Sequence, residues 1–258
     1  MKIRPAALAL AIILGFAITG CSKKENEDFS APPEPTAVVD QATAGTITGT
    51  VTFEGAPPKF HAIDMSAEPA CVQENPKPVV PPIVVLGPHD ALADTVVYIK
   101  SGLGTYRYDT PNDPAILDQK GCMYVPRVLA FRANQPLEIK NTDPVTHNVH
   151  PMPRENKSWN RSLPENAPPF MTKFPHQELG IPVACNIHPW MRAFLFVFDN
   201  PYYDMTAKTG TFELKNLPPG TYTVEAWHEY LGTLDQTVTI APKESKSISF
   251  TFVSAKSK

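Results

Sequence analysis

The sequence has little excess charge, few cysteines and only a short apolar run at its start. Its 258 residues carry a net charge of -3 with a pI near 6.2, so a nucleic-acid partner is not expected. The apolar run, residues 6 to 18, is shorter than the roughly 20 residues that a membrane-spanning helix needs. No convincing amphipathic helix pattern follows it. Proline is abundant at 29 residues, which favours short strands joined by turns.

The first 20 residues are typical of an export signal. Lys2 and Arg4 precede the apolar run, which ends at the small-residue sequence ITGC and Cys21. This sequence resembles a bacterial lipobox, in which the cysteine is lipidated. The resemblance implies a cell-envelope protein that is anchored through Cys21 and lies at the periplasm-facing or outer membrane. Residues 21 to 44 are predicted to form a flexible tether.

Alternation of apolar and polar residues predicts an all-β fold. The clearest strand runs from Thr46 to Phe53 and stops at the turn signal EGAPP. Further strands are predicted at 95–100, 127–132, 137–141, 147–150, 181–185, 193–198, 210–214, 221–227, 236–240 and 247–252. A β-sandwich architecture is the simplest arrangement of so many short strands.

Segments near both ends of the chain share a second resemblance. The stretches GTITGTVTFEGAPP, DTVVYIK and TGTFELKNLPPGTYTVEAWHE look like successive strands of a carboxypeptidase-regulatory or prealbumin-like domain. About a hundred residues separate the last two stretches. We therefore expect a small β-sandwich, residues 45–101 and 204–258, with a second β domain, residues 102–203, inserted in it or packed beside it. A single larger sandwich is the alternative.

The four cysteines suggest different roles. If Cys21 is lipidated, an odd number remains in an oxidising compartment, so one is expected to be free or metal-bound. Cys71 lies in a proline-rich stretch without a nearby histidine, which favours a structural disulfide with Cys122. The remaining sulfur, Cys185, could be a nucleophile or a metal ligand. A nucleophile is disfavoured because no helix N-terminus is predicted beside Cys185 to lower its pKa.

The sequence CNIHPWM, residues 185 to 191, favours a metal site. Cys185 ends a predicted strand, and the following turn can direct His188 and Met191 at the same ion. Thiolate, imidazole and a weak thioether are the ligands of type 1 copper. Another ligand must come from the stretch NTDPVTHNVH. Because alternate strand residues share a face, His147 and His150 are not expected to bind one ion, and His147 is the candidate.

The two stretches together resemble a cupredoxin. The sequences HNVH and CNIHPWMRA are similar to those of amicyanins, and a longer span resembles plastocyanin-like methylamine-utilisation proteins. The resemblance implies a Greek-key β-sandwich with one type 1 copper. It assigns His147, Cys185 and His188 as the equatorial ligands and Met191 as the axial ligand. Asn148 would tie the two ligand loops together. Pro189 and Trp190 would form an apolar rim beside a partly exposed His188.

The resemblance implies a lipid-anchored blue copper protein that carries one electron at a time and is not an enzyme. Its expected partner is a redox protein such as a dehydrogenase, a cytochrome or an oxidase. One alternative is a lipoprotein that sequesters or delivers copper. Another is a structural or glycan-binding surface lipoprotein without a redox role. Metal content and redox cycling distinguish the three.

Overall fold

The computed structural model describes residues 37 to 254. One six-residue helix, α1 (Pro69–Glu74), and one 3-10 turn, Pro88–Asp90, accompany the strands. The strands are β1 (Gly45–Glu54), β2 (Val96–Ser101), β3 (Ala115–Gln119), β4 (Tyr124–Val125), β5 (Val128–Arg132), β6 (Leu137–Asn141), β7 (His147–Pro151), β8 (Arg161–Leu163), β9 (Phe170–Thr172), β10 (Glu178–Ala184), β11 (Arg192–Phe198), β12 (Tyr203–Met205), β13 (Thr211–Leu217), β14 (Gly220–His228), β15 (Gly232–Ile240) and β16 (Ser245–Val253). The all-β prediction is confirmed.

Four sheets are formed, and their strands come from different parts of the chain. One pair has the orders β13-β1-β16 and β12-β2-β14-β15, so its strands end by residue 101 or begin at 203 or later. The other pair, β5-β11-β10-β7-β8 and β4-β3-β6-β9, uses only residues 115 to 198. We call the first pair the flanking sandwich and the second the central sandwich. The domain boundaries proposed from the sequence stay a prediction, since residues 37 to 254 lie within one compact unit.

Strand β1 is the centre of its sheet. It pairs antiparallel with β13 and parallel with β16, and its alternate residues are buried as the sequence pattern requires. Gly49 permits the close approach of the neighbouring strand, because a side-chain carbon there would lie 2.1 Å from the carbonyl oxygen of Ile248. The flanking sandwich closes over an apolar core to which both of its sheets contribute.

Strand β11 joins the two sandwiches, which explains why its sequence FLFVF is apolar without interruption. Successive strand side chains point to opposite faces of the sheet. Leu195 and Val197 enter the core of the central sandwich. Phe196 and Phe198 pack with Tyr98 of β2 in a separate cluster against the flanking sandwich. The central sandwich is thereby supported on the side away from its own core.

A long connection between β1 and β2 carries the short helix. Within it, residues 63 to 79 form a closed lobe, because the backbone N–H of Ile63 donates to the carbonyl of Val79 at 2.8 Å. We call this lobe the cover. The sequence stretch around Cys71 was expected to be a loop, but helix α1 begins at Pro69, a residue suited to the first turn of a helix. A disulfide between Cys71 and Cys122 fastens the cover to the central sandwich.

Candidate metal centre

Three potential ligand residues converge at one end of the central sandwich. His147 begins β7, Cys185 directly follows β10, and His188 lies in the turn between β10 and β11. This turn is closed by two backbone hydrogen bonds: Met191 N donates to His188 O at 3.0 Å, and Cys185 N donates to Met191 O at 3.3 Å. The compact spacing of the sequence therefore produces a narrow loop whose side chains face β7.

The ligand atoms of these residues lie close together in a buried space. The Nδ1 atoms of His147 and His188 are 2.7 Å apart, and Nδ1 of His188 is 3.8 Å from Sγ of Cys185. One donor atom from each of the three residues lies within 4.8 Å of the others. Their exposed fractions are 0%, 3% and 2% for His147, Cys185 and His188. Met191 is fully buried and belongs to the same core as Cys185.

The donor atoms of the three residues fit a copper ion. Two imidazole nitrogens and one thiol sulfur aimed at a common point are the equatorial donors of a type 1 copper site. A second grouping among the described residues, Cys122, Asp143 and His147, lacks a thiolate because Cys122 is in the disulfide. The first grouping is therefore the candidate centre. It contains three of the ligands proposed from the sequence, with Met191 in the adjoining core.

Asn148 connects the two ligand loops. Its side-chain oxygen accepts hydrogen bonds from Sγ of Cys185 at 3.3 Å and from the backbone N–H of Asn186 at 2.7 Å. Its side-chain amide donates to Asn160 at 2.6 Å. Because Asn148 follows His147 directly, these bonds fix the position of β7 relative to the cysteine loop. The role that the family resemblance implied for this residue stays a prediction.

The sulfur of Cys185 lies among hydrogen-bond donors. The backbone N–H of His188 donates to it at 3.3 Å. Burial acts to raise the pKa of the Cys185 thiol, but the imidazole of His147 and nearby backbone N–H groups outweigh burial, and the pKa is lowered. A lowered pKa favours the thiolate, which is the form that binds a metal.

Asp143 holds the first histidine from behind. Its Oδ2 lies 2.8 Å from Nε2 of His147, and its two carboxylate oxygens accept the backbone N–H groups of Gly121 at 2.6 Å and Cys122 at 2.7 Å. Burial acts to lower the pKa of His147, but Asp143 and Cys185 outweigh burial and raise it. Asp143 lies in the stretch NTDPVTHNVH, from which only His147 and Asn148 were proposed for the site. The signal for its role was a carboxylate four residues before a candidate ligand.

His188 differs from its expected environment. It was expected to be partly exposed beside an apolar rim, but it is buried because the cover lies over it. Glu68 of the cover places Oε2 at 3.6 Å from Nε2 of His188. Burial and the neighbouring His147 lower the pKa of His188, and Glu68 opposes them. Of the two rim residues, Pro189 is exposed, whereas Trp190 is half-buried.

Trp190 attaches the cysteine loop to the disulfide. Its ring centroid lies 5.1 Å from that of His188, and its Nε1–H donates to the carbonyl of Cys122 at 3.0 Å. Cys71 and Cys122 are both fully buried in a small cluster with Met65. The disulfide that the sequence analysis proposed is therefore part of the wall of the site. The proposed lipidation site, Cys21, lies outside the described residues.

Comparisons with known proteins give a partial likeness. No family model matches the chain, and no curated protein matches it. An amicyanin variant in its oxidised state aligns with a TM-score of 0.31 and 16% identity over 40% of this chain and 98% of its own. A purple cupredoxin from Nitrosopumilus maritimus aligns with a TM-score of 0.28 and 20% identity over 33% of this chain and 99% of its own.

A third solved structure is the copper-containing nitrite reductase of Thermus scotoductus SA-01. It aligns with a TM-score of 0.32 and 15% identity over 39% of this chain, which spans 26% of the reductase. The prediction that the chain is not an enzyme is wrong as an inference from its fold, because an enzyme is among the structures that share this likeness. The resemblance of the flanking strands to a carboxypeptidase-regulatory domain stays a prediction.

No helix in residues 37 to 254 is long and apolar enough to cross a membrane.

About 40% of the chain aligns with cupredoxin structures. The assignment of the centre rests on its donor atoms.

Proposed function

We propose that the protein binds one copper ion in a type 1 site and transfers single electrons with it. His147, Cys185 and His188 would be the equatorial ligands and Met191 the axial one. The observation that carries the proposal is the convergence of two imidazole nitrogens and one sulfur within 4.8 Å in a buried space. When bound to such donors, copper alternates between Cu(II) and Cu(I).

The surroundings of the ligands suit single-electron transfer. Asn148 fixes the cysteine loop against β7, and Asp143 fixes the ring of His147. Ligands held in this way keep one geometry in both oxidation states of an ion, so little rearrangement accompanies each transfer. Buried donors also exclude water from the centre. The hydrogen-bonded framework of these residues thus supports rapid exchange of electrons with a partner.

We also propose that the protein acts in a bacterial cell envelope and exchanges electrons with another redox protein. The lipobox-like sequence ending at Cys21 supports anchoring to a membrane. The Cys71–Cys122 disulfide agrees with an oxidising compartment. The length of the segment between Cys21 and the first strand would let the folded part reach a partner beyond the membrane surface.

Copper titration of the full-length protein in detergent tests this function. Addition of Cu(II) to the metal-free protein is expected to give an intense blue band that bleaches with ascorbate and returns with ferricyanide. The matched control is Cys185→Ser, which keeps a small polar side chain but removes the thiolate, and should be folded and colourless. A colourless wild type would contradict the proposal. Tight copper binding without redox cycling would instead support copper storage or delivery.

A further inference from the structure

One side of His188 is buried and lacks a hydrogen-bond partner. Among the described residues no group accepts a hydrogen bond from its Nε2 atom. The residue is 2% exposed, so water does not readily replace the missing partner. A buried donor without an acceptor costs about 1–3 kcal/mol, which makes such a group rare in a folded protein. The position of this atom therefore requires an explanation.

The chemistry of the site determines which nitrogen carries the proton. Nδ1 of His188 points at Nδ1 of His147 and at Sγ of Cys185, so it is the atom available to a metal. A neutral imidazole that binds through Nδ1 carries its hydrogen on Nε2. In metal sites, that N–H almost always donates to a carboxylate, a carbonyl or water. His147 already has such a partner in Asp143.

The carboxylate next to His188 is Glu68. Its Oε2 lies 3.6 Å from Nε2, just beyond a normal hydrogen bond. The Glu68 side chain is 30% exposed, and it precedes helix α1, so it can move the few tenths of an ångström needed to accept the N–H. Within residues 37 to 254, Glu68 is thus the carboxylate that lies beside this nitrogen.

The cover that carries Glu68 is held in place independently of the copper ligands. The disulfide joins Cys71, which lies three residues beyond Glu68, to Cys122. Asn75 adds a second attachment, because its side-chain amide lies 3.0 Å from the carbonyl of Gly121 and 3.0 Å from that of Cys71. The fastening fixes where Glu68 can reach. It also explains why a residue 120 positions before His188 meets it.

We propose that Glu68 is a positioning residue for the metal centre, which accepts the Nε2–H of His188 and fixes this ring from the cover. This inference rests on the proposed copper function. The hydrogen bond holds the tautomer that leaves Nδ1 free for the metal. The negative charge of Glu68 makes the imidazole a more basic ligand, which donates more electron density to the metal. Both effects favour Cu(II) over Cu(I), so Glu68 lowers the reduction potential.

The test compares Glu68 with Glu74, an exposed carboxylate at the end of the same helix. Glu68→Ala, Glu68→Gln, Glu74→Ala and Glu74→Gln are each prepared as full-length copper protein. Two quantities are measured: the reduction potential, and the hydrogen-exchange rate of the His188 Nε2–H by NMR in the reduced, diamagnetic form. Thermal unfolding of each metal-free variant confirms that it is folded.

Glu68→Ala is expected to raise the reduction potential and to speed exchange of the Nε2–H about tenfold or more, as loss of a hydrogen bond to a charged group implies. Glu68→Gln removes the charge but keeps an acceptor, so it should raise the potential while exchange stays slow. The Glu74 variants should match wild type in both, since solvent screens an exposed charge.

Two results would overturn the inference, and they can be told apart. A blue, redox-active wild type whose Glu68 variants behave like the Glu74 variants would refute the role of Glu68 while leaving the copper function intact. A wild type that binds no copper would refute the proposed function and the inference together. If Glu68→Ala is unfolded, Glu68→Gln decides the question through its potential, since it preserves the size and an acceptor of the side chain.

Discussion

The two sandwiches bury different kinds of side chain. The core of the flanking sandwich is apolar apart from tyrosine, and its innermost residues are at most 1% exposed, namely Ile47, Val51, Val97, Val224 and Phe250. The centre at the end of the central sandwich instead buries polar groups, namely Asn141, Asp143, His147, Asn148 and His188. Burial of a polar group costs stability unless it is hydrogen-bonded, whereas burial of apolar surface contributes stability.

The two regions therefore have different roles: one stabilises the fold, and the other positions the metal ligands. In the flanking sandwich, closely packed strands supply free energy of folding without fixing any reactive group. In the metal centre, hydrogen bonds between buried polar groups hold the ligands in position. Asn148 fixes the cysteine loop, and Asp143 fixes His147. Substitutions in the first region should therefore change unfolding and leave the centre alone, whereas substitutions in the second should change metal binding.

The largest expected effect on stability is that of Ile47→Ala. Ile47 is fully buried in β1, between its partner strands β13 and β16. Removing its side chain leaves a cavity, and such a change costs about 2–5 kcal/mol of unfolding free energy. Urea denaturation of the metal-free protein measures the loss. Copper affinity of the folded variant should equal that of wild type.

Thr50→Ala is the control on the same strand, because Thr50 is exposed and its change should cost well under 1 kcal/mol. If Ile47→Ala weakened copper binding while still folded, the two regions would be coupled, and the contrast would be wrong. If it lost no more stability than Thr50→Ala, the flanking core would not be the source of folding free energy that its burial indicates.

His228 is a polar side chain buried in the flanking sandwich, as is Glu225 on the same strand. It is 1% exposed at the end of β14, and its Nδ1 accepts the backbone N–H groups of Tyr230 and Leu231. Burial lowers its pKa from 6.5 to about 4. Between these values the unfolded chain binds a proton that the folded chain does not. The contribution of His228 to the free energy of unfolding therefore falls by about 3 kcal/mol as the pH drops from 7.5 to 4.

The variant His228→Asn tests the size of that effect. Its side-chain oxygen can replace Nδ1 as the acceptor, but asparagine does not titrate. Urea denaturation at pH 7.5 and pH 4 should show about 3 kcal/mol less pH-dependent loss in the variant than in wild type. An unchanged slope in His228→Asn would mean that His228 is protonated in the folded state.

The strands that the sequence predicted are those that bury one or both faces. Alternation located β1, and the apolar run FLFVF located β11, because burial on a sheet leaves a direct pattern in the sequence. The strands that were missed are β3, β4, β8, β9 and β12, each with five residues or fewer. Strands β8 and β9 lie in a proline-rich insertion. They form through pairing with β7 and β6, and local sequence carries little of that information.

The same limit applies to the metal centre. Cys185, His188 and Met191 share one short loop, so their spacing alone indicated a site. Asn148 could be proposed because it neighbours a candidate ligand. Glu68 could not, because it lies in a different connection, and only the fold and the disulfide bring it to His188. The burial of His188 was missed for the same reason, since the cover belongs to a distant part of the chain.

Asp143→Asn has the smallest expected effect of the three substitutions. It tests the comparison at the metal centre, where the change should appear in the free energy of copper binding. The asparagine keeps an acceptor oxygen for only one of the N–H groups of Gly121 and Cys122, and it loses the charge that faces His147. Loss of a partner that orients a ligand typically lowers metal affinity about 10- to 100-fold. Competition with a coloured Cu(I) chelator measures that change in the full-length protein.

Asp113→Asn is its matched control, because Asp113 is an exposed carboxylate ahead of β3 in the central sandwich and should leave affinity unchanged. Equal affinity in both variants would mean that the ring of His147 is held by packing and not by the carboxylate. A folded Asp143→Asn protein with weakened copper binding, beside an Ile47→Ala protein with weakened folding and intact copper binding, would show that the two regions act independently. Such independence is expected because distant sites without shared partners contribute additively.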